Sequence, residues 1–190
     1  MLLFKKIKIK SYEVGLSFRD GEFRGLLTAG RYWLFDALWK IRVDVVSQRD
    51  PQLVHDKLDV IVKSGALSDR ARVVDLKDNE RAVVWIEGRF SHILAPGLYA
   101  YWTGFKDVRV EVIDGRNVRF QHPDFKAIVR SPNAAQLLDI CSVERNHAGV
   151  AFVDGEYVET LPPGQYAWWR GVADAKVVQV DIREQALDVS

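Results

Sequence analysis

Phe18-Arg19-Asp20-Gly21-Glu22-Phe23 returns 67 residues later as Trp85-Ile86-Glu87-Gly88-Arg89-Phe90, and 67 residues after that as Phe152-Val153-Asp154-Gly155-Glu156-Tyr157. The acid–glycine pair in the middle of each stretch is the chemistry of a two-residue hairpin loop. A type I′ turn needs φ > 0 at both central positions, and Asp-Gly tolerates that conformation. Centring the turn there pairs Arg19 with Glu22 and sets an aromatic residue opposite an aromatic residue in every copy: Phe18 with Phe23, Trp85 with Phe90, Phe152 with Tyr157. Each such cross-strand pair contributes about 0.2–1 kcal/mol. In the first copy Leu16 and Phe18 alternate with Ser17 and Arg19, as a strand with one buried face requires. In the second, Ala82-Val83-Val84-Trp85-Ile86 is apolar on both faces and reads as a central strand covered twice.

The same 67-residue offset holds on both sides of the hairpin. It relates Leu27, Leu94 and Leu161, then Gly30, Gly97 and Gly164, and Tyr32, Tyr99 and Tyr166. Further on it relates Val43, Val110 and Val177, and Arg49, Arg116 and Arg183. A gapless register of this kind marks tandem units. The glycine column suggests a second turn, with Pro96-Gly97 and Pro163-Gly164 suited to type II geometry and Ala29-Gly30 keeping the glycine. Third strands are expected over 32–35, 99–102 and 166–169, and fourth strands over 41–46, 108–113 and 175–181. In the links 51–70 and 118–139, Leu53, Val54, Leu58, Ile61 and Val62, then Phe125, Ile128, Val129, Ala134, Leu137 and Leu138, fall at helical spacing. These patterns predict helices broken near Ser64-Gly65 and Ser131-Pro132. The expected class is α+β: three tandem small antiparallel β modules, each a hairpin plus two further strands, joined by helical connectors. The modules are residues 1–70, 71–139 and 140–190.

Composition narrows the function. Of 190 residues, 48% are apolar and 28% charged, and 27 Lys and Arg against 26 Asp and Glu leave a formal charge of +1. That balance gives no electrostatic drive toward nucleic acid, whose binding leans on a surplus of Lys and Arg. One cysteine, Cys141, excludes an internal disulfide and a cysteine-rich zinc site, and its apolar neighbours read it as a small core residue. The longest uncharged run, 90–105, is interrupted by Pro96-Gly97 and is too short to span a bilayer. Met1-Leu2-Leu3-Phe4-Lys5-Lys6 is not ordered as a signal peptide. The expected location is therefore cytoplasmic. His55 and His122 share a repeat column and read as equivalent structural positions. His92 and His147 have no second ligand at metal-site spacing. No phosphate-cradling glycine loop, metalloprotease helix or nucleophile elbow occurs. Neither catalytic residues nor a cofactor nor a metal is expected, and the chain reads as non-enzymatic.

Two groups of residues stand out as candidates for contact with partners. Trp33, Trp39 and Trp168 break the repeat consensus, with Ala100, Lys106 and Leu34 among their counterparts. Together with Trp169 and Arg170 they are candidate partner-binding residues, since aromatic and Arg side chains are enriched at interfaces. Lys6-Ile7-Lys8-Ile9-Lys10 alternates strictly. It reads as an edge strand guarded by lysines, or as a basic strip (Lys5, Lys6, Lys8, Lys10) touching anionic lipid with Leu2, Leu3 and Phe4 as a shallow anchor. An alternative function is a peptide- or single-stranded nucleic-acid-binding β module that uses several of Trp33, Trp39, Trp85, Trp168 and Trp169 as a stacking platform.

The third copy resembles the opening of the stomatin–prohibitin–flotillin (SPFH) core domain. The residues concerned are Glu144-Arg145-Asn146-His147-Ala148-Gly149-Val150, the Asp154-Gly155 hairpin, Leu161-Pro162-Pro163-Gly164-Gln165-Tyr166, and Val180-Asp181-Ile182-Arg183-Glu184-Gln185-Ala186-Leu187-Asp188-Val189. The two earlier copies resemble the duplicated extension ahead of this domain in some bacterial slipins. The resemblance implies non-enzymatic scaffolding: self-association and protein partners, in a membrane-associated oligomeric assembly at the inner face of the membrane. Unlike many relatives, the sequence has no hydrophobic anchor and no heptad segment. It is thus expected to be a fragment of a longer protein, with residues 177–190 frayed or paired with a neighbouring chain.

Overall fold

Each acid–glycine pair turns the chain in the way its chemistry dictates. In the computed structural model, which describes residues 4–36 and 38–183, φ is +52° and +82° at Asp20 and Gly21. The values are +52° and +71° at Glu87 and Gly88, and +51° and +85° at Asp154 and Gly155. These are type I′ values, matched to the twist of the flanking strands. The expected partners meet: Phe18 faces Phe23 with ring centroids 5.5 Å apart, and Phe152 faces Tyr157 at 6.4 Å, both edge to face.

Fifteen described strands surround these turns. The first copy holds β1 (Phe4–Ile9), β2 (Glu13–Arg19), β3 (Glu22–Leu27), β4 (Gly30–Phe35) and β5 (Ile41–Ser47). The second holds β6 (Ala71–Leu76), β7 (Glu80–Ile86), β8 (Arg89–Leu94), β9 (Gly97–Trp102) and β10 (Val108–Asp114). The third holds β11 (Leu138–Val143), β12 (His147–Val153), β13 (Glu156–Leu161), β14 (Gly164–Trp169) and β15 (Ala175–Asp181). The same pairing recurs in each set: a two-stranded sheet (β1–β4, β6–β9, β11–β14) and a three-stranded one (β3–β2–β5, β8–β7–β10, β13–β12–β15). The central strand β7 is buried from Ala82 to Trp85, as its two-faced apolar pattern requires.

The α+β assignment with helical connectors is overturned. Among the described residues strands predominate and helix is scarce, and the strands form six small antiparallel sheets. The links contain only α1 (Leu58–Lys63), α2 (Phe125–Val129) and a 3₁₀ turn, Ala134–Gln136. Helices this short cannot hold themselves and are kept by the apolar residues they bury, Ile61, Ile128 and Val129. Part of the apparent helical periodicity belongs to extended chain instead. Leu53 donates its N–H to the Ala100 carbonyl (2.8 Å), Trp102 donates to the Pro51 carbonyl (2.7 Å), and Leu138 opens β11. Strands β6 and β11, which pair with the expected third strands β9 and β14, are additions to the four-stranded module expected from sequence.

A sequence copy is also not the packing unit. The chain divides into two compact units, one running to Lys77 with 85–89 and 96–110, the other made of 78–84, 90–95 and 111 onward. In the first unit Val14, Leu16 and Phe18 of β2 pack with Leu53, Ile61 and Leu67 of the link and with Ala100 and Trp102 of β9. A two-stranded sheet is thus buried against the link and three-stranded sheet that precede it in the chain. The second unit repeats the link half of this packing. Phe120 donates its N–H to the Ala167 carbonyl (2.9 Å), Trp169 donates to the Val118 carbonyl (2.9 Å), and the Phe120 and Trp169 rings meet edge to face at 4.9 Å.

Two repeat columns acquire a physical reason. Gly30 and Gly164 do not adopt the positive φ of a type II turn; the rings of Tyr32 and Tyr166 lie across them. The hydroxyls of these tyrosines donate to the carbonyls of Thr28 (2.9 Å) and Pro162 (2.7 Å), which closes the corner. The other column holds Gly15 and Gly149, where side chains from both sheets of the copy crowd the backbone. A Cβ on Gly149 would stand 2.7 Å from Val143 Cγ2 and 3.0 Å from Val177 Cγ1. Gly149→Val is therefore expected to lower stability by roughly 1–3 kcal/mol through overpacking, read as a lower urea midpoint with unchanged slope.

Candidate interaction face

The outer face of β1–β4 carries Phe4, Lys6 and Lys8 opposite Phe35, Trp33 and Arg31. Alternation along β1 turns Ile9 inward, where it is buried, and leaves Lys6, Lys8 and Lys10 exposed, while Lys5, on the Ile9 side, is exposed near the start of the strand. Phe4 and Phe35 meet edge to face at 5.4 Å, and the Lys6 ammonium sits 5.1 Å above the Trp33 ring. Leu38 and Trp39 project from the loop that follows, 72% and 76% exposed. This loop is held by the Asp36 carboxylate, which accepts the N–H groups of Lys40 (2.7 Å) and Ile41 (3.1 Å). A groove of about 690 Å³ runs between Phe4, Trp33, Trp39 and Ile41.

The same face is interior in the other two copies. Trp33 is 66% exposed and its column partners Ala100 and Ala167 are fully buried. Phe35 is 61% exposed and its partners Trp102 and Trp169 are 1% exposed. The backbone edge differs in the same sense. Ala100–Trp102 and Ala167–Trp169 receive Pro51–Leu53 and Val118–Phe120, whereas β4 has one strand neighbour among the described residues, β1. Trp39 adds strain to exposure, because its φ of +56° is a conformation that a bulky side chain rarely adopts.

The remaining candidates are placed elsewhere. Trp168 and Trp169 are core residues, 4% and 1% exposed, so they form no surface patch. Trp168 packs with Val143, Ala151 and Leu161 because β14 turns alternate residues to its two covered faces. Arg170 is bound to Asp139 at 2.6 Å. Lys10 is engaged by Tyr12 and Glu13, which raise its pKa. Leu2 and Leu3 lie outside the described residues, as does the 184–190 part of the stretch expected to fray; residues 177–181 are paired in β15 with β12.

The polar columns serve the fold. The His55 ring lies flat on Phe18, 7° from parallel; its Nδ1 accepts the Lys57 N–H at 3.0 Å and its Nε2 faces Asp44 Oδ2 at 3.2 Å. His122 repeats the arrangement with the Asp124 N–H and Glu111 Oε2, both at 2.9 Å. Each imidazole thus clamps the start of its link to the last strand of its own copy. Burial alone would raise the Asp44 pKa, but hydrogen bonds from Arg42 and His55 outweigh it and the net shift is downward. Arg116 holds Asp114 at about 2 by side-chain and backbone hydrogen bonds, and Arg183 lowers Asp181 in the same way. Burial raises the half-buried Cys141 thiol and lowers His92. Among the described residues no three His, Cys, Asp or Glu are grouped to hold a metal ion, and no helix is long and apolar enough to cross a membrane. The chain matches no family model, no curated protein and no solved structure.

Sequence reasoning found Trp33 and Trp39 but missed Phe35, Leu38 and the open β4 edge. The available signal was the column that sets Trp33 against two alanines, read together with Leu53 and Phe120 as strand-adding residues.

Two outcomes are expected. Trp39→Gly should leave stability within about 1 kcal/mol of the parent, because relief of left-handed strain offsets the larger chain entropy of glycine. Trp169→Ala, at the buried equivalent of the exposed face, should cost about 3–5 kcal/mol; urea unfolding compares the two. The second outcome follows from Asp44, whose folded pKa lies below its unfolded value. Its stabilising contribution is present above the ordinary aspartate range and is lost as pH falls through the folded pKa. Asp44→Asn should therefore be less stable than the parent by roughly 1 kcal/mol near pH 6, with the gap closing below about pH 4 in urea titrations run against pH.

Proposed function

We propose that this chain is a non-enzymatic protein-interaction region, the N-terminal repeat part of a slipin-like SPFH scaffold, working within a membrane-associated oligomeric assembly. The observation that carries this reading is the open aromatic face of β1–β4, where Trp33 and Phe35 are exposed and their column partners are buried. An exposed cluster of Phe, Trp and Leu beside Lys and Arg has the composition of an interface core with a charged rim. The order of motifs in the third copy supports the scaffold assignment, and His55 and His122, set against Asp44 and Glu111, hold the links to the strands.

The stacking-platform alternative loses most of its residues. Trp85, Trp168 and Trp169 are 6%, 4% and 1% exposed, which leaves Trp33 and Trp39 for a ligand. The formal charge of +1 adds no attraction for a polyanion.

Placing a photo-cross-linking phenylalanine analogue at position 39 tests the reading. Irradiation in cells is expected to give a polypeptide adduct that Phe35→Ser abolishes. The chain should also fail to float with phosphatidylcholine vesicles containing roughly a third phosphatidylserine. Absence of any polypeptide adduct, or flotation that depends on Trp33 and Lys6, would overturn it.

A further inference from the structure

We infer that the open face of β1–β4 is occupied by the β12–β13–β15 end of a second copy of this chain, a head-to-tail contact that continues the packing used inside the chain. The inference rests on the protein-interaction reading and names its partner.

In the first unit a three-stranded sheet and the link after it cover the next two-stranded sheet. In the first unit Val14, Leu16 and Phe18 of β2 supply the sheet side of that contact and are at most 3% exposed. Their equivalents on β12 are Ala148, Val150 and Phe152. This face continues onto β15 and β13 through the pairs Ala148–Val180, Val150–Val178 and Phe152–Tyr157. Val178, Val180 and Tyr157 are 42%, 48% and 60% exposed, an apolar surface where the first copy has a core. Among the described residues, one half of the repeated interface is therefore open on β1–β4, and the complementary half is open on β12–β13–β15.

Three features fit these halves to each other. The first is size. Trp33 replaces the alanine of Ala100 and Ala167, and the opposing sheet carries Ala148 and Val150 where the first interface has Val14 and Leu16. The second is the vacant edge. At β9 and β14, an extended tripeptide adds to the positions equivalent to Trp33 and Phe35. The third is an apolar replacement on the opposing sheet: where the first copy has Asp44 facing His55 and the second has Glu111 facing His122, the third copy has Val178 in the same column. A contact between two different surfaces is heterologous, so each added copy presents the next open face.

Sedimentation velocity of the 190-residue chain over micromolar to submillimolar concentration tests the inference. The wild-type chain should grow past the dimer as concentration rises. Trp33→Glu and Val178→Glu should each sediment as 21.7 kDa monomers, because each blocks one half of the contact. Mixing the two variants in equal amounts should restore a species of twice that mass and nothing larger, since the intact tail of one meets the intact head of the other. Far-UV circular dichroism checks that the variants are folded, and the milder pair Phe35→Ser and Val180→Ser repeats the experiment if either is not. A wild-type chain that stays monomeric, a mixture that stays monomeric, or a single-face variant that still dimerises would overturn the inference. A monomeric chain that nonetheless yields a polypeptide adduct from position 39 removes the second copy as occupant and leaves the interaction reading standing; a monomer with no adduct removes both.

Discussion

A two-stranded antiparallel sheet has too little buried surface to stand alone in water, and every structural feature of this chain follows from how that deficit is met. Strands β6 and β9 bury Ala100 and Trp102 under the link and three-stranded sheet before them. Strands β11 and β14 bury Ala167 and Trp169 against the link before them. The main-chain bonds from Leu53 and Trp102, and from Phe120 and Trp169, seal the edge of each pair. The link is therefore a structural layer, with Leu53, Ile61 and Leu67 as core residues in the first unit. The histidine clamps fix where it begins.

The same dependence makes the first copy different. Strands β1 and β4 have the strand pattern of their counterparts, but among the described residues no link or three-stranded sheet covers Phe4, Trp33 and Phe35. Their outer face carries Phe4, Trp33 and Phe35 exposed, with lysines along the margin. Lysine on an edge strand discourages indiscriminate pairing, while aromatic rings on the same face favour a partner that covers them. Trp39 is held in a left-handed conformation beside that face by the Asp36 bonds. Local strain of this sort is retained where a side chain has work outside the fold.

The repeat register, the three hairpins, their turn type and the aromatic pairs across them were all legible in the residues, because a type I′ turn depends on two adjacent φ angles and cross-strand pairing follows from the turn by counting. The strand β6 and the opening of β11 were not. Ala71–Leu76 alternates weakly, and Leu137-Leu138 sits at a spacing that a helix would also satisfy. The helical reading of the links failed for the same reason: Leu53 and Val54 look like part of a helical stripe, yet Leu53 is extended and fills a core whereas Val54 is largely exposed.

The sequence by itself determined that one unit occurs three times, where its turns fall, and that Trp33 departs from its column. Those are local or arithmetic properties, written in adjacent residues and constant offsets. Tertiary structure alone decided that the sheets β6–β9 and β11–β14 are buried against the link before them, that Trp168 and Trp169 are interior, and that Trp33 and Phe35 on the first face and Val178 and Val180 on the last sheet are exposed. Burial depends on which surfaces meet across many residues of intervening chain, and no local pattern records the partner that a strand face will find.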